Sequence, residues 1–275
     1  MSLTKEKVET KPVIKVETKL TEVDNKNPIR PFNETFTLTF GEIAENHVGM
    51  EQIGKGRRQG FTLVDFEEIK KRLPQAEIVY LDKSLDAGVL VIRNGVQLLT
   101  GKSPDDLFRE LKALKWDTKA KMRGKVVNKH ARYNLCFGKN HRDSSFEEGK
   151  GTIEVYTPTM KILRDKLPAV FGPKGEDLEC EGNYYFDYRK CGIGYHGDGE
   201  RGIVIGVRLG ATFPLRYYKF HNSKAIEGPW DFSFNHGDMY VMTNKAAGTD
   251  WKRRIIPTFR HAAGANYINA KSKEE

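Results

Sequence analysis

From Asn183 to His261 the chain is broken into apolar runs too short for long helices. IVIGVRL (203–209), PLRYYKF (214–220), DMYVM (238–242) and IIPTFRH (255–261) are rich in β-branched and aromatic residues, with Gly, Pro and Asn between them. Short strands at this spacing predict a β-sandwich or barrel, such as a jelly roll. The segments before Asn183 read differently, so the expected fold class is α+β, with helices and a hairpin first and a β-core after.

In that first part, TFTLTF around Leu38 alternates as a short strand. GKGRRQG (54–60) is a basic, Gly-rich segment without the GK[ST] end of a phosphate-binding loop, and is expected to be a plain surface loop. Thr62 and Asp65 form a capping-box pattern before a helix over 65–73, which Pro74 ends. Asn94-Gly95 between VLVIR and VQLLT predicts a type I′ hairpin. Ser103 followed by Pro104, Asp105 and Asp106 predicts an N-cap and a helix to about Lys115. Thr157-Pro158 opens another helix, expected to end at Pro168.

Residues 1–31 hold no aromatic residue and repeat KVETK at 7–11 and 15–19, the pattern of a disordered tail. Residues 32–77 are expected to form a small leading module, and 78–275 the main domain. A hydrophobic content of 38% can build a core. No apolar run approaches the roughly 18–20 residues of a membrane span, and no secretory h-region follows Met1. Cys136, Cys180 and Cys191 form no CxxC pair, so neither a disulfide framework nor a cysteine zinc site is indicated. These features predict an intracellular protein, either cytoplasmic or nuclear and monomeric, with no membrane partner.

Charge is concentrated in one place. Residues 112–142 carry ten Lys and Arg against one acid, Asp117, which is as large as the whole chain's net charge of +9. Such a window predicts contact with phosphates and salt-dependent nucleic-acid binding. Trp116, Tyr133 and Phe137 interleave with it and are candidate stacking platforms for a base. Arg123, Lys125 and Arg132 are the first candidates for substrate contact, and Arg201 a further one near the entrance.

The chemistry-bearing segment is CGIGYHGDGERG (191–202). In an extended chain His196 and Asp198 point to the same side, so imidazole and carboxylate can reach one metal ion. Two histidines and one carboxylate leave three positions open, the arrangement of non-haem Fe(II) oxygenases. The second histidine must come from His221, His236 or His261.

The stretch 183–261 resembles the catalytic core of the AlkB family of Fe(II)- and 2-oxoglutarate-dependent dioxygenases, which act on alkylated nucleic acids. The resemblance rests on Asn183-Tyr184-Tyr185, His196-Gly197-Asp198, Val207-Arg208-Leu209-Gly210, and His236-Gly237-Asp238 leading into Met239-Tyr240-Val241-Met242. It extends more weakly over residues 78–271, where Arg132 to Gly138 is similar to the family's substrate-side strand. The loop between Met242 and His261 is longer than in typical members.

What the resemblance implies is a double-stranded β-helix, or jelly-roll, core with Fe(II) on His196, Asp198 and His261. His236 then occupies a turn position that is not a ligand in several members. Asn183 and Tyr185 would hydrogen-bond 2-oxoglutarate. The family's arginines after the distal histidine are missing here, so Lys271 is the expected partner of the far carboxylate, with Arg260 as the alternative. The implied reaction uses O₂ and 2-oxoglutarate, releases succinate and CO₂, and hydroxylates a C–H bond such as an N-methyl group, which then leaves as formaldehyde. The iron carries the hard chemistry, and no separate catalytic acid or base is expected. The alternatives are the same chemistry on a protein side chain, base hydroxylation without demethylation, and a non-catalytic nucleic-acid-binding protein.

Overall fold

The computed structural model describes residues 32–269; the expected tail over 1–31 and Lys271 lie outside the described residues. The strands are β1 (Thr35–Gly41), β2 (Ile43–Glu45), β3 (Gln52–Gly54), β4 (Glu77–Asp82), β5 (Ala87–Ile92), β6 (Lys119–Met122), β7 (Lys125–Asn128), β8 (Tyr133–Gly138), β9 (Ile153–Val155), β10 (Glu179–Tyr185), β11 (Ile193–His196), β12 (Val204–Gly210), β13 (Phe213–His221), β14 (Lys224–Phe234), β15 (Met239–Met242) and β16 (Thr258–Ala263). The helices are α1 (Leu63–Arg72), α2 (Gly95–Thr100), α3 (Pro104–Lys112), α4 (Pro158–Phe171) and α5 (Ala265–Asn269). The fold is α+β and mostly strand. Among the described residues no helix is long and apolar enough to cross a membrane.

Eight strands form a large sheet in the order β4-β5-β15-β12-β1-β10-β8-β9, and four form a small one, β11-β16-β13-β14. Neither sheet closes into a barrel among the described residues. Strand alternation gives the large sheet two different faces. Phe36, Leu38 and Phe40 of β1 and Ile205, Val207 and Leu209 of β12 pack in one core with α1, α3 and α4, through Phe66, Leu107, Leu111, Leu163 and Leu167. Val89 and Val91 of β5, Tyr185, Val204 and Tyr240 belong to a second core, with Phe213, Leu215, Tyr217, Phe234 and Phe259 from the small sheet. The result is three layers: helices, large sheet, small sheet.

Local chemistry explains the starts of α1 and α3. Thr62 Oγ1 accepts from Asp65 N (3.2 Å) while Asp65 Oδ2 accepts from Thr62 N (2.7 Å), the capping box expected for α1. Ser103 caps α3 with Pro104 in its first turn. In GKGRRQG, Gly54 ends β3 and residues 55–60 form a loop, where a Cβ on Gly60 would stand 2.1 Å from Gly202 O.

Several expectations are corrected. Asn94 does adopt a left-handed conformation (φ 52°, ψ 33°), but it leads into α2 and not into a second hairpin strand. Both edges of β5 are already taken, by β4 and β15, so a returning strand has no edge to pair with. Two consecutive positive φ values, the mark of a type I′ turn, occur instead at Arg123 (48°) and Gly124 (78°), joining β6 to β7, and at Asn222 (49°) and Ser223 (65°), joining β13 to β14. Helix α4 runs through Pro168 to Phe171. Loss of one hydrogen bond there is offset because Leu167 and Phe171 are buried. Residues 32–77 share the main sheet and core, because β1 is hydrogen-bonded between β10 and β12.

Candidate metal centre

The site forms where the small sheet faces the large one. In β11 and β16, His196 and His261 are register partners, with ring centroids 4.5 Å apart. Asp198 follows two residues after His196. Its Oδ1 lies 3.5 Å from His196 Nε2 and 3.8 Å from His261 Nε2. Ligand atoms of the three side chains lie within 4.8 Å of one another.

The glycines of 191–202 matter through close backbone approach. A Cβ on Gly197 would stand 2.2 Å from Gly248 O, and Asp198 N donates to Ala247 O (2.8 Å). The long segment between Met242 and His261 therefore buttresses the His-Gly-Asp strap. The strap is held further downstream by Glu42, a buried carboxylate accepting from Gly202 N (2.6 Å) and Ile203 N (3.0 Å).

Electrostatics suit a cation. Burial pushes His261 down to about 3, so it is a neutral imidazole at pH 7. Burial alone would raise the Asp198 carboxyl. The interaction with His196 and the charge of Arg201 outweigh it and hold the group well below the usual carboxylate range. His196 Nδ1 lies 2.8 Å from Gly194 O; donating there leaves Nε2 as a lone pair for a metal. His261 Nδ1 is buried without a partner among the described residues. This donor set, two imidazoles and one carboxylate, fits Fe(II) or a similar divalent ion.

The large sheet supplies the opposite wall. Facing side chains line up across three strands, because Arg208 of β12 pairs in register with Thr37 of β1, and Thr37 with Asn183 of β10. All three line the cleft, as do Tyr185, Arg132, Arg201 and the metal-centre triad. Asn183 Oδ1 accepts from Arg132 Nε and Asn134 Nδ2 (2.7 Å each), and its Nδ2 donates to Glu181 Oε1 (3.0 Å). The Tyr185 ring packs on Phe213 at 4.5 Å.

Other expected site residues fall elsewhere. His236 is away from the triad: its Nδ1 accepts from Gly210 N (2.8 Å), and its ring stacks on Phe32. His221 ends β13. Arg260 does not line the cleft; its guanidinium lies over Phe220 (4.3 Å) and Trp251 (5.4 Å), since the residue beside His261 on a strand points to the opposite face. Arg201 borders the cleft but is buried and ion-paired with Glu181 and Glu200, so it is not an exposed entrance charge. Arg123 and Lys125 are exposed at the tip of the β6–β7 hairpin.

The basic window is not one uniform patch. Lys112 pairs with Glu34 and Arg142 with Glu51, whereas Lys119, Arg123 and Lys125 are exposed. Trp116 and Phe137 are buried in the helix-side core, so they are not stacking platforms; only Tyr133 is partly open, and it stacks on Phe186 at 4.5 Å. Sequence reasoning missed Arg208 as a site residue. Its signal was a lone arginine inside an apolar strand, in phase with Val204 and Gly206.

These features define a class: a layered α+β protein with a His-Asp-His centre in an arginine-lined cleft between two sheets. No family model matches the chain. It is similar to "Uncharacterized protein R156" of Acanthamoeba polyphaga mimivirus, with 43% identity over 248 residues, covering 85% of this chain and 96% of that protein. The chain belongs to the same family as this viral protein.

Proposed function

We propose that this protein is an Fe(II)- and 2-oxoglutarate-dependent dioxygenase of AlkB type, acting on alkylated bases in DNA or RNA, with its two facing sheets forming a jelly-roll core. The observation that carries the reading is the convergence of His196, Asp198 and His261 within 4.8 Å, on a strand pair and the strap that follows it. His196, Asp198 and His261 would hold Fe(II), which with 2-oxoglutarate and O₂ supplies the oxidising power.

This chain's residues orient and exclude. His261 and Asp198 are held in their metal-binding protonation states at neutral pH. Arg132, half-buried and hydrogen-bonded to Asn183, brings a positive charge to the cleft wall. The β6–β7 hairpin offers Lys119, Arg123 and Lys125 to a phosphate backbone. Tyr133 and Phe186, stacked and partly exposed, are the aromatic surface left for an unstacked base.

Anaerobic addition of Fe(II) and then 2-oxoglutarate tests the chemistry. A weak visible charge-transfer band that His261→Ala abolishes is expected; no band in the unmodified protein overturns the reading. Formaldehyde release from a methylated oligonucleotide tests the substrate, and succinate formed without formaldehyde would redirect it to hydroxylation of another target.

A further inference from the structure

Two arginines are buried at the cleft, and among the described residues only one has a counter-charge. Arg201 meets Glu181 and Glu200. Arg208 is 2% exposed and, among the described residues, makes no ion pair. Its one side-chain hydrogen bond there is from Nη1 to Thr37 Oγ1, and Nε has no partner. A buried guanidinium costs several kcal/mol unless an anion answers it.

The surroundings are shaped for such an anion. With Nη1 taken by Thr37, the Nε edge of the guanidinium remains, and that edge can grip a carboxylate through two parallel hydrogen bonds. The Phe213 and Tyr240 rings lie 5.2 and 5.6 Å from Cζ. Gly206 makes room for Tyr240, since a Cβ there would stand 2.1 Å from its Cζ. The hydroxyl of Tyr217 is buried without a partner among the described residues, within range of the Arg208 charge. Arg208 is also near enough for its charge to act on His261.

We propose that Arg208 is the anchor for a carboxylate of a small dicarboxylic 2-oxo acid, with the Tyr217 hydroxyl as a second donor. The inference rests on the dioxygenase reading for the ligand's other end, where the 2-oxo acid group faces the His-Asp-His centre. It replaces Lys271 and Arg260 in that role and moves the anchor from after the distal histidine to β12, before it. A 2-oxo monocarboxylate of similar length would satisfy the metal and leave Arg208 unanswered, so the cleft selects dicarboxylates.

The test uses the full chain loaded with Mn(II), with 2-oxoglutarate and 2-oxopentanoate binding compared by calorimetry. The unmodified protein is expected to prefer 2-oxoglutarate by about 30-fold or more, the scale of a charge-assisted hydrogen-bond pair. Arg208→Met should erase the preference while Mn(II) is still bound, and Arg208→Lys should keep part of it. Tyr217→Phe, which loses no hydrogen bond among the described residues, should fold and lower 2-oxoglutarate affinity several-fold with little effect on 2-oxopentanoate. Equal affinity for the two acids in the unmodified protein, or a preference that survives Arg208→Met, overturns the proposal. Dicarboxylate binding that needs Arg208 but is indifferent to Mn(II) would sink the dioxygenase reading and leave the anchor standing.

Discussion

The inter-sheet cleft and the β6–β7 hairpin are both rich in cationic side chains, yet the fold treats them in opposite ways. In the cleft, Arg201 and Arg208 are almost completely buried, and each is held by named neighbours. On the hairpin, Lys119, Arg123 and Lys125 stand in solvent, and salt screens them. Buried charge fixes geometry and is costly to leave unpaired. Exposed charge contributes little to stability and is free to meet a partner.

Variants can break or sharpen that contrast. The largest effect is expected for Arg201→Met. Removing this partner strands Glu181 beside the cleft, and urea unfolding should show a loss of about 3–5 kcal/mol; a loss below about 1 kcal/mol would put Arg201 with the hairpin cations. Asp198→Ala should weaken Mn(II) binding about 100-fold or more while the fold survives, read by titration calorimetry. Arg123→Ala and Lys125→Ala should leave stability within about 0.5 kcal/mol. On the proposed function, each should weaken oligonucleotide binding and reduce the slope of log affinity against log salt by about 1. Unchanged slopes would make the hairpin a solvated surface only.

A pair between the extremes gives the smallest effect. Lys219 Nζ lies 2.5 Å from Asp82 Oδ2 and links β13 to the end of β4. Burial opposes ionisation of Asp82, but hydrogen bonds from Lys219 and Ser84, together with the Lys219 charge, pull its carboxyl down to about 2. A carboxyl held low in the folded state stabilises fully above the unfolded value of about 3.9 and loses that contribution as pH falls through about 2. Asp82→Asn should therefore cost up to about 1 kcal/mol at pH 6 and close to nothing at pH 2.

Much of the layout was legible because it depends on local chemistry. The capping box at Thr62, the Ser103-Pro104 start of α3 and the strands around 204–210, 213–221 and 239–242 follow from side-chain period and cap residues that act within one turn or one strand. The Asn94-Gly95 signal gave the right backbone conformation at Asn94 and the wrong element after it, because strand pairing depends on a free edge elsewhere in the sheet. Pro168 read as a stop, but the burial of Phe171 outweighs one lost hydrogen bond. In the site, His196 and Asp198 were visible from spacing alone. His261 came from the family resemblance, and its placement opposite His196 comes from the β11–β16 register.

The sequence by itself determined which residues could carry the chemistry: a histidine and an aspartate two apart among glycines, three candidate distal histidines, and a cluster of cations upstream. Only the tertiary structure decided which charges are buried and which are free. It separated Arg208 from Arg201 by one difference, the presence of a carboxylate within reach. It also sent Trp116 and Phe137 into the core while leaving Arg123 and Lys125 outside. The physical reason is that desolvation depends on what packs around a group from strands distant in sequence, and no local pattern encodes that.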